Sequence, residues 1–168
     1  YNTFHSMKKI NHFINGKEYI SKSDRFGDIF NPASGEKIGS VSFANKDDVA
    51  LAIQNASDAQ KKWAATPPLA RSRVMFKFKE LILRDMEKLA LELTNEHGKI
   101  LSDSVGSLTR GMEVVEFACG IPHLLKGEFS ENVGTEIDSW STRQPLGVCV
   151  GISPVSYTHL RAHETTYD

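Results

Sequence analysis

The order of apolar and polar positions divides the chain into a strand-rich start, a helical middle and an extended end. Residues 12–20 place two short apolar runs around Asn15-Gly16, a dipeptide that supplies the positive φ angles of a tight hairpin turn. Asp28-Ile29-Phe30 and residues 38–43 flank Asn31-Pro32-Ala33-Ser34-Gly35-Glu36, whose turn formers predict a second hairpin. Both hairpins read as small surface ribbons. From Asn45 the period lengthens. Asn45 is placed to cap a helix, with Asp47 and Asp48 in the first turn, where the helix dipole favours negative charge. Val49, Ala52, Ile53, Ala56, Ala59 and Trp63 then recur at helical spacing, and Pro67-Pro68 ends the segment.

A second helical pattern covers 69–97, with Val74, Met75, Phe78, Leu81, Ile82, Met86, Leu89, Ala90 and Leu93 on its apolar face. Asp85 is expected to split it, because a short carboxylate competes for backbone groups inside a helix. Gly98 is a natural stop, and His97 can face the dipole there. A third helix, over 102–125, contains Gly106, Gly111 and Gly120. Each glycine costs about 1 kcal/mol against alanine, so packing must hold this helix, and its small residues predict close approach of another element. Residues 136–142 read as a strand and Pro145–Gly147 as a turn. The run Leu146-Gly147-Val148-Cys149-Val150-Gly151-Ile152 reads as a fully buried strand. The polar residues beyond Pro154 supply neither the crossover helix nor the second parallel strand that a dinucleotide-binding fold requires.

Composition narrows the function classes. A chain of 168 residues, 40% apolar and 24% charged, fits one soluble domain with a modest core. A net charge of -1 argues against nucleic acid, which calls for a clustered basic excess. No apolar run reaches membrane-spanning length, and residues 1–6 lack the order of a secretory signal. Cys119 and Cys149 make neither a disulfide framework nor a CxxC metal site, so a cytoplasmic setting is expected. Met7-Lys8-Lys9-Ile10 reads as a natural start. The expected organisation is a domain over 7–155, an upstream extension over 1–6, and a non-native tail over 156–168 that resembles adaptor or vector read-through.

Few side chains invite chemistry. Cys149 lies between valines on an apolar strand, where a thiol behaves as a small hydrophobe, and no base or cation stands near it in sequence to activate it. Cys119, at a helix end, has the same reading. His159 and His163 could share a metal if helical, but no third ligand accompanies them; no metal site and no catalytic residue are expected. Trp63 and Phe78 read as core, and Lys61-Lys62 as a solvated face.

Five segments in order carry a resemblance: Phe13-Ile14-Asn15-Gly16, Asn31-Pro32-Ala33-Ser34-Gly35-Glu36, Trp63 with Arg71, Glu96-His97-Gly98-Lys99, and Pro145-Leu146-Gly147-Val148. Together, over residues 10–154, they resemble the N-terminal part of the NAD-dependent aldehyde dehydrogenase superfamily. Arg110-Gly111-Met112-Glu113-Val114-Val115-Glu116-Phe117-Ala118-Cys119 is similar to its CoA-acylating, methylmalonate-semialdehyde branch. The resemblance implies an α/β fold: the N-terminal portion of a Rossmann-like NAD-binding domain, truncated after its first core strand. A small strand segment would join subunits into a dimer or tetramer.

It also implies a reaction in which a cysteine thiolate attacks the aldehyde, hydride passes to NAD, and CoA resolves the thioester. The product is propanoyl-CoA, or acetyl-CoA from malonate semialdehyde. The catalytic cysteine and glutamate would lie beyond residue 168. Within the chain, the resemblance assigns Arg110 to the substrate carboxylate, which a guanidinium can hold through two parallel hydrogen bonds. It assigns Ile152, Ser153, Pro154 and Val155 to the cofactor pocket. Val155 replaces the usual aromatic residue, and Ser156 and Tyr157 stand where an oxyanion-stabilising asparagine is usual. Two alternatives accompany this reading: another NAD(P)-dependent aldehyde dehydrogenase, such as one for succinate semialdehyde, or a non-catalytic fragment acting only through subunit contacts.

Overall fold

A computed structural model describes residues 7–152 of the chain. Two short strands, β2 (His12–Ile14) and β3 (Lys17–Tyr19), follow β1 (Lys8–Ile10) and pair antiparallel around the expected turn. Asn15 and Gly16 take φ +54° and +72°, the left-handed pair that a two-residue hairpin loop demands. The second hairpin, β4 (Phe26–Phe30) with β5 (Lys37–Ser42), is not the isolated ribbon its sequence suggests. Strand β1 adds to it parallel to β5, giving a three-stranded sheet of order β1-β5-β4. The parallel partner lies far away in sequence and its three residues show no alternation, so the local pattern is silent about it. Gly39 makes the pairing possible, since a Cβ there would collide with the Lys8 carbonyl oxygen.

Helix α1 (Lys46–Ala65) starts as the sequence predicts. The Asn45 side chain accepts from the Asp48 amide at 2.9 Å, while Asp48 accepts from the Asn45 amide at 2.8 Å, a reciprocal capping box. Asp48 does more than cap. It is buried and also accepts from the Ser21 hydroxyl at 2.6 Å, tying the chain just after β3 to the helix start. The Ser21 hydroxyl, then the Asn45 amide, hold the Asp48 carboxyl below its ordinary range. A hydrogen bond to that carboxylate pushes the Tyr19 phenol upward.

Pro68 opens α2 (Pro68–Arg84), where its missing N–H costs nothing. The helical run breaks at Asp85, as expected, and resumes as α3 (Met86–His97). The cause differs from simple capping. Asp85 makes no side-chain cap to α3; its two oxygens instead take Nε and Nη2 of Arg84 at 3.0 and 2.6 Å. That pairing lowers the Asp85 carboxyl and raises the Arg84 guanidinium. Gly98 closes α3 at φ +82°. A Cβ at Gly98 would stand 2.9 Å from Cγ of Pro32, so the turn also touches the β4–β5 loop.

Helix α4 (Leu101–Cys119) is shorter than the 102–125 expected. It stops at Gly120, and a separate turn α5 (Ile121–Leu124) follows with Pro122 in its first turn. Proline cannot continue a helix, because it lacks an N–H and crowds the carbonyl four residues back. The close approach predicted by the glycines is not observed at Gly111, where a Cβ would meet nothing within 4 Å, or at Gly106, where it would touch only Nη1 of Arg110 at 3.9 Å. Small polar and apolar residues make the contact instead. Ser104 and Ala90 are fully buried, and the Ser104 hydroxyl is 2.8 Å from that of Thr94. The buried Ser72 hydroxyl donates to the Cys119 carbonyl at 2.6 Å, joining α2 to the end of α4.

Beyond the helices, β6 (Phe129–Gly134) and β7 (Ile137–Trp140) form an antiparallel hairpin. Only β7 is foreseen, because β6 is too polar to stand out. The expected strand over 146–152 does not form. Leu146, Val150 and Ile152 are 95%, 80% and 90% exposed, and Cys149 is exposed rather than buried. A strand exists only with a ladder partner for its N–H and C=O groups, and among the described residues none lies beside it. Trp63 and Phe78, expected in the core, are 45% and 49% exposed for the same want of cover.

Candidate functional site

Among the described residues the site expected to bind an anion sits where α3 turns into α4. Gly98 reverses the chain in a left-handed conformation that side-chain-bearing residues adopt at a cost. Lys99 then leaves the turn in a direction that brings its ammonium back over the first turns of α4. Its Nζ donates to Oγ of Ser107 at 2.5 Å. Arg110 is one helical turn further along the same face, and its Nη2 approaches the same hydroxyl at 3.5 Å. Lys99, Ser107 and Arg110 thus converge on an open cleft of about 460 Å³, also lined by His97, Ser102, Asp103 and Gly106.

The cleft is polar and carries two fixed cations against one carboxylate, Asp103. Arg110 is exposed on α4 and makes no ion pair among the described residues. Its guanidinium therefore keeps donors to offer a ligand, and a planar carboxylate matches their geometry. Arg110, which the resemblance assigns to the substrate carboxylate, lies in this cleft. The sequence did not single out Ser107 or Lys99, although a Ser three residues before an Arg on a helix, and a Gly-Lys pair after a helix, are visible in the chain.

The other expected site residues fare differently. Of the cofactor set, Ile152 is described and is 90% exposed, so the described residues do not enclose a nicotinamide there. Ser153, Pro154 and Val155 lie outside the described residues, as do His159 and His163. Among the described residues no group of His, Cys, Asp or Glu could hold a metal, and no helix is long and apolar enough to cross a membrane. Cys119 is buried under the Ser72 contact, and among the described residues no activating base is bonded to it.

Comparison with known proteins gives these features a setting. A profile of the aldehyde dehydrogenase family matches residues 19–163. The chain is 42% identical over 151 residues to a malonate-semialdehyde dehydrogenase of Pseudomonas aeruginosa, covering 90% of this chain and 30% of that protein. It is 40% identical over 152 residues to the human mitochondrial, acylating methylmalonate-semialdehyde/malonate-semialdehyde dehydrogenase, covering 90% and 28%. Among solved structures, a Sinorhizobium meliloti protein described as a methylmalonate-semialdehyde dehydrogenase, crystallised with NAD, superposes with a TM-score of 0.82 at 48% identity. That match covers 84% of this chain and 29% of the other. The chain therefore spans about 30% of the length of these relatives.

Proposed function

The chain belongs to the aldehyde dehydrogenase family, and we propose that the full-length enzyme carrying it oxidises methylmalonate semialdehyde or malonate semialdehyde in an NAD-dependent, CoA-acylating reaction. The observation that carries this reading is the polar cleft at the α3–α4 turn, where Arg110 stands beside Lys99 and Ser107. Both substrates carry a carboxylate at one end and an aldehyde at the other. Arg110 holds the carboxylate and so fixes how far the aldehyde reaches toward the reacting groups. The neighbours named for these semialdehydes support the same choice.

NAD is the oxidant in this proposal, and the segment from Ile152 to Val155 borders its site in the complete enzyme. The enzyme is a homo-oligomer of the cytoplasm, in contrast to the mitochondrial location in the human relative's name. The β6–β7 hairpin contributes to subunit joining; its exposed Phe129, Val133, Ile137 and Trp140 support that role. By itself the 168-residue polypeptide is inactive: among the described residues Cys149 is exposed with no base bonded to it, and Cys119 is buried.

The test is substrate discrimination. In the full-length enzyme, Arg110→Met raises KM for the carboxylated aldehyde by about a hundredfold, the value of a lost charge-assisted pair. KM for propanal, which has no carboxylate, stays within about twofold. Equal KM values for the carboxylated substrate in both proteins would exclude Arg110 as its anchor.

A further inference from the structure

We propose that Lys99 and Ser107 are positioning residues that aim the Arg110 guanidinium, and thereby set how strongly the site prefers carboxylated aldehydes. The inference rests on the reading of Arg110 just given. It starts from an asymmetry in the cleft. Arg110 is on an exposed part of α4, and a long unbranched side chain there samples many rotamers. The structure nevertheless brings its Nη2 toward Oγ of Ser107, and that oxygen is itself fixed by Nζ of Lys99 at 2.5 Å.

Ser107 is the hinge of this arrangement. One hydroxyl oxygen faces two cations, Lys99 and Arg110, and brings them to the same cleft despite their mutual repulsion. Two cations so held make a strong local field, and an entering carboxylate can lie between them. Lys99 owes its direction to the left-handed Gly98 turn rather than to α4. The direct contact to Arg110 comes from Ser107 on its own helix, and the Lys99 contact that holds Ser107 comes from outside it. A guanidinium already restrained loses less freedom on binding, which lowers the cost of capturing the carboxylate. Asp103 shares the cleft and offsets part of the positive field, so geometry as well as charge must decide affinity.

The experiment separates aim from charge in the full-length enzyme. Ser107→Ala keeps both cations but removes the shared oxygen. Lys99→Met removes one cation together with the contact. For each variant, KM and kcat are measured with malonate semialdehyde and with propanal, after thermal melting confirms a wild-type transition. The expected result is a KM increase of about five- to tenfold for the carboxylated substrate in both variants, with propanal changed less than about twofold. Ser107→Thr, which restores a hydroxyl, returns KM toward wild type.

A silent Ser107→Ala overturns the proposal if Arg110→Met is impaired, and leaves Arg110 as the carboxylate anchor. An effect of Lys99→Met without one of Ser107→Ala also overturns it, since charge alone then accounts for the site. Equal losses for both substrates in Ser107→Ala would also overturn it, since Ser107 would then not act through the carboxylate. If Arg110→Met is silent as well, the carboxylate reading falls with it.

Discussion

The α2–α4 helical layer and the segment 143–152 contain similar proportions of apolar residues, yet only the layer buries any of them, while its Phe76, Phe78, Val114 and Phe117 stay exposed. In the layer, Ala90, Met112 and Cys119 are buried, and Ser72, Thr94 and Ser104 complete the polar contacts between helices. In the later segment Leu146, Val150 and Ile152 face water. A helix satisfies its own backbone and needs a neighbour only for one face, and that neighbour follows a short turn away. A strand needs a second strand before it exists at all. Local pattern decides the first case; the second waits on residues remote in sequence.

The same contrast appears across the whole molecule. Among the described residues only Ala90, Met112 and Cys119 are buried apolar side chains. Helix α1 lacks cover too, since Val49, Ile53 and Trp63 remain 45–49% exposed. The largest expected effect follows from this. The 168-residue polypeptide alone is expected to bind a hydrophobic dye and to melt without a cooperative transition. A sharp calorimetric transition from a soluble monomer would break the comparison.

Next in size, Met112→Ala in the full-length enzyme should cost about 2–5 kcal/mol by chemical denaturation, the range for emptying a buried site. Val150→Ala sharpens the contrast. In the isolated chain it should leave amide protection within about 0.5 kcal/mol of the parent chain, as at other exposed sites. In the full-length enzyme, where a partner strand is expected to cover it, the loss of two buried methyls should cost about 1.5–3 kcal/mol. Ser72→Ala leaves the Cys119 carbonyl buried without its donor and should cost about 1–3 kcal/mol.

The smallest effect concerns acid. Asp48 has its carboxyl lowered by the Ser21 hydroxyl and the Asn45 amide, so its contribution is present above the ordinary carboxylate value and is lost as pH falls through the lowered one. Loosening of the Ser21 tether should therefore appear only on the acid side, visible as movement of the Tyr19 resonances. Asp48→Asn should abolish that pH dependence; its persistence would assign the acid step to another group.

Much of the fold was legible because its punctuation is chemical. Asn15-Gly16, the Asn45 cap, Pro68, Asp85 and Gly98 each act where the sequence places them. What escaped reading depends on distance. Strand β1 is only three residues long and finds its partner in β5. Strand β6 pairs despite a polar sequence, with Asn132 at φ +54°. At the candidate site, Arg110 was singled out only through the resemblance of its surrounding segment. Lys99 and Ser107 were not, because their meeting depends on the handedness of one turn.

That turn has a genetic consequence. A side chain at position 98 meets two separate penalties: the left-handed backbone, and the ring of Pro32 at 2.9 Å. A compensating change at Pro32 can relieve the second but never the first. Second-site suppressors of a Gly98 substitution should thus be partial, and the residual defect would report the dihedral cost alone. Heredity at the mouth of the cleft is thereby coupled to a loop whose Pro32 does not line it.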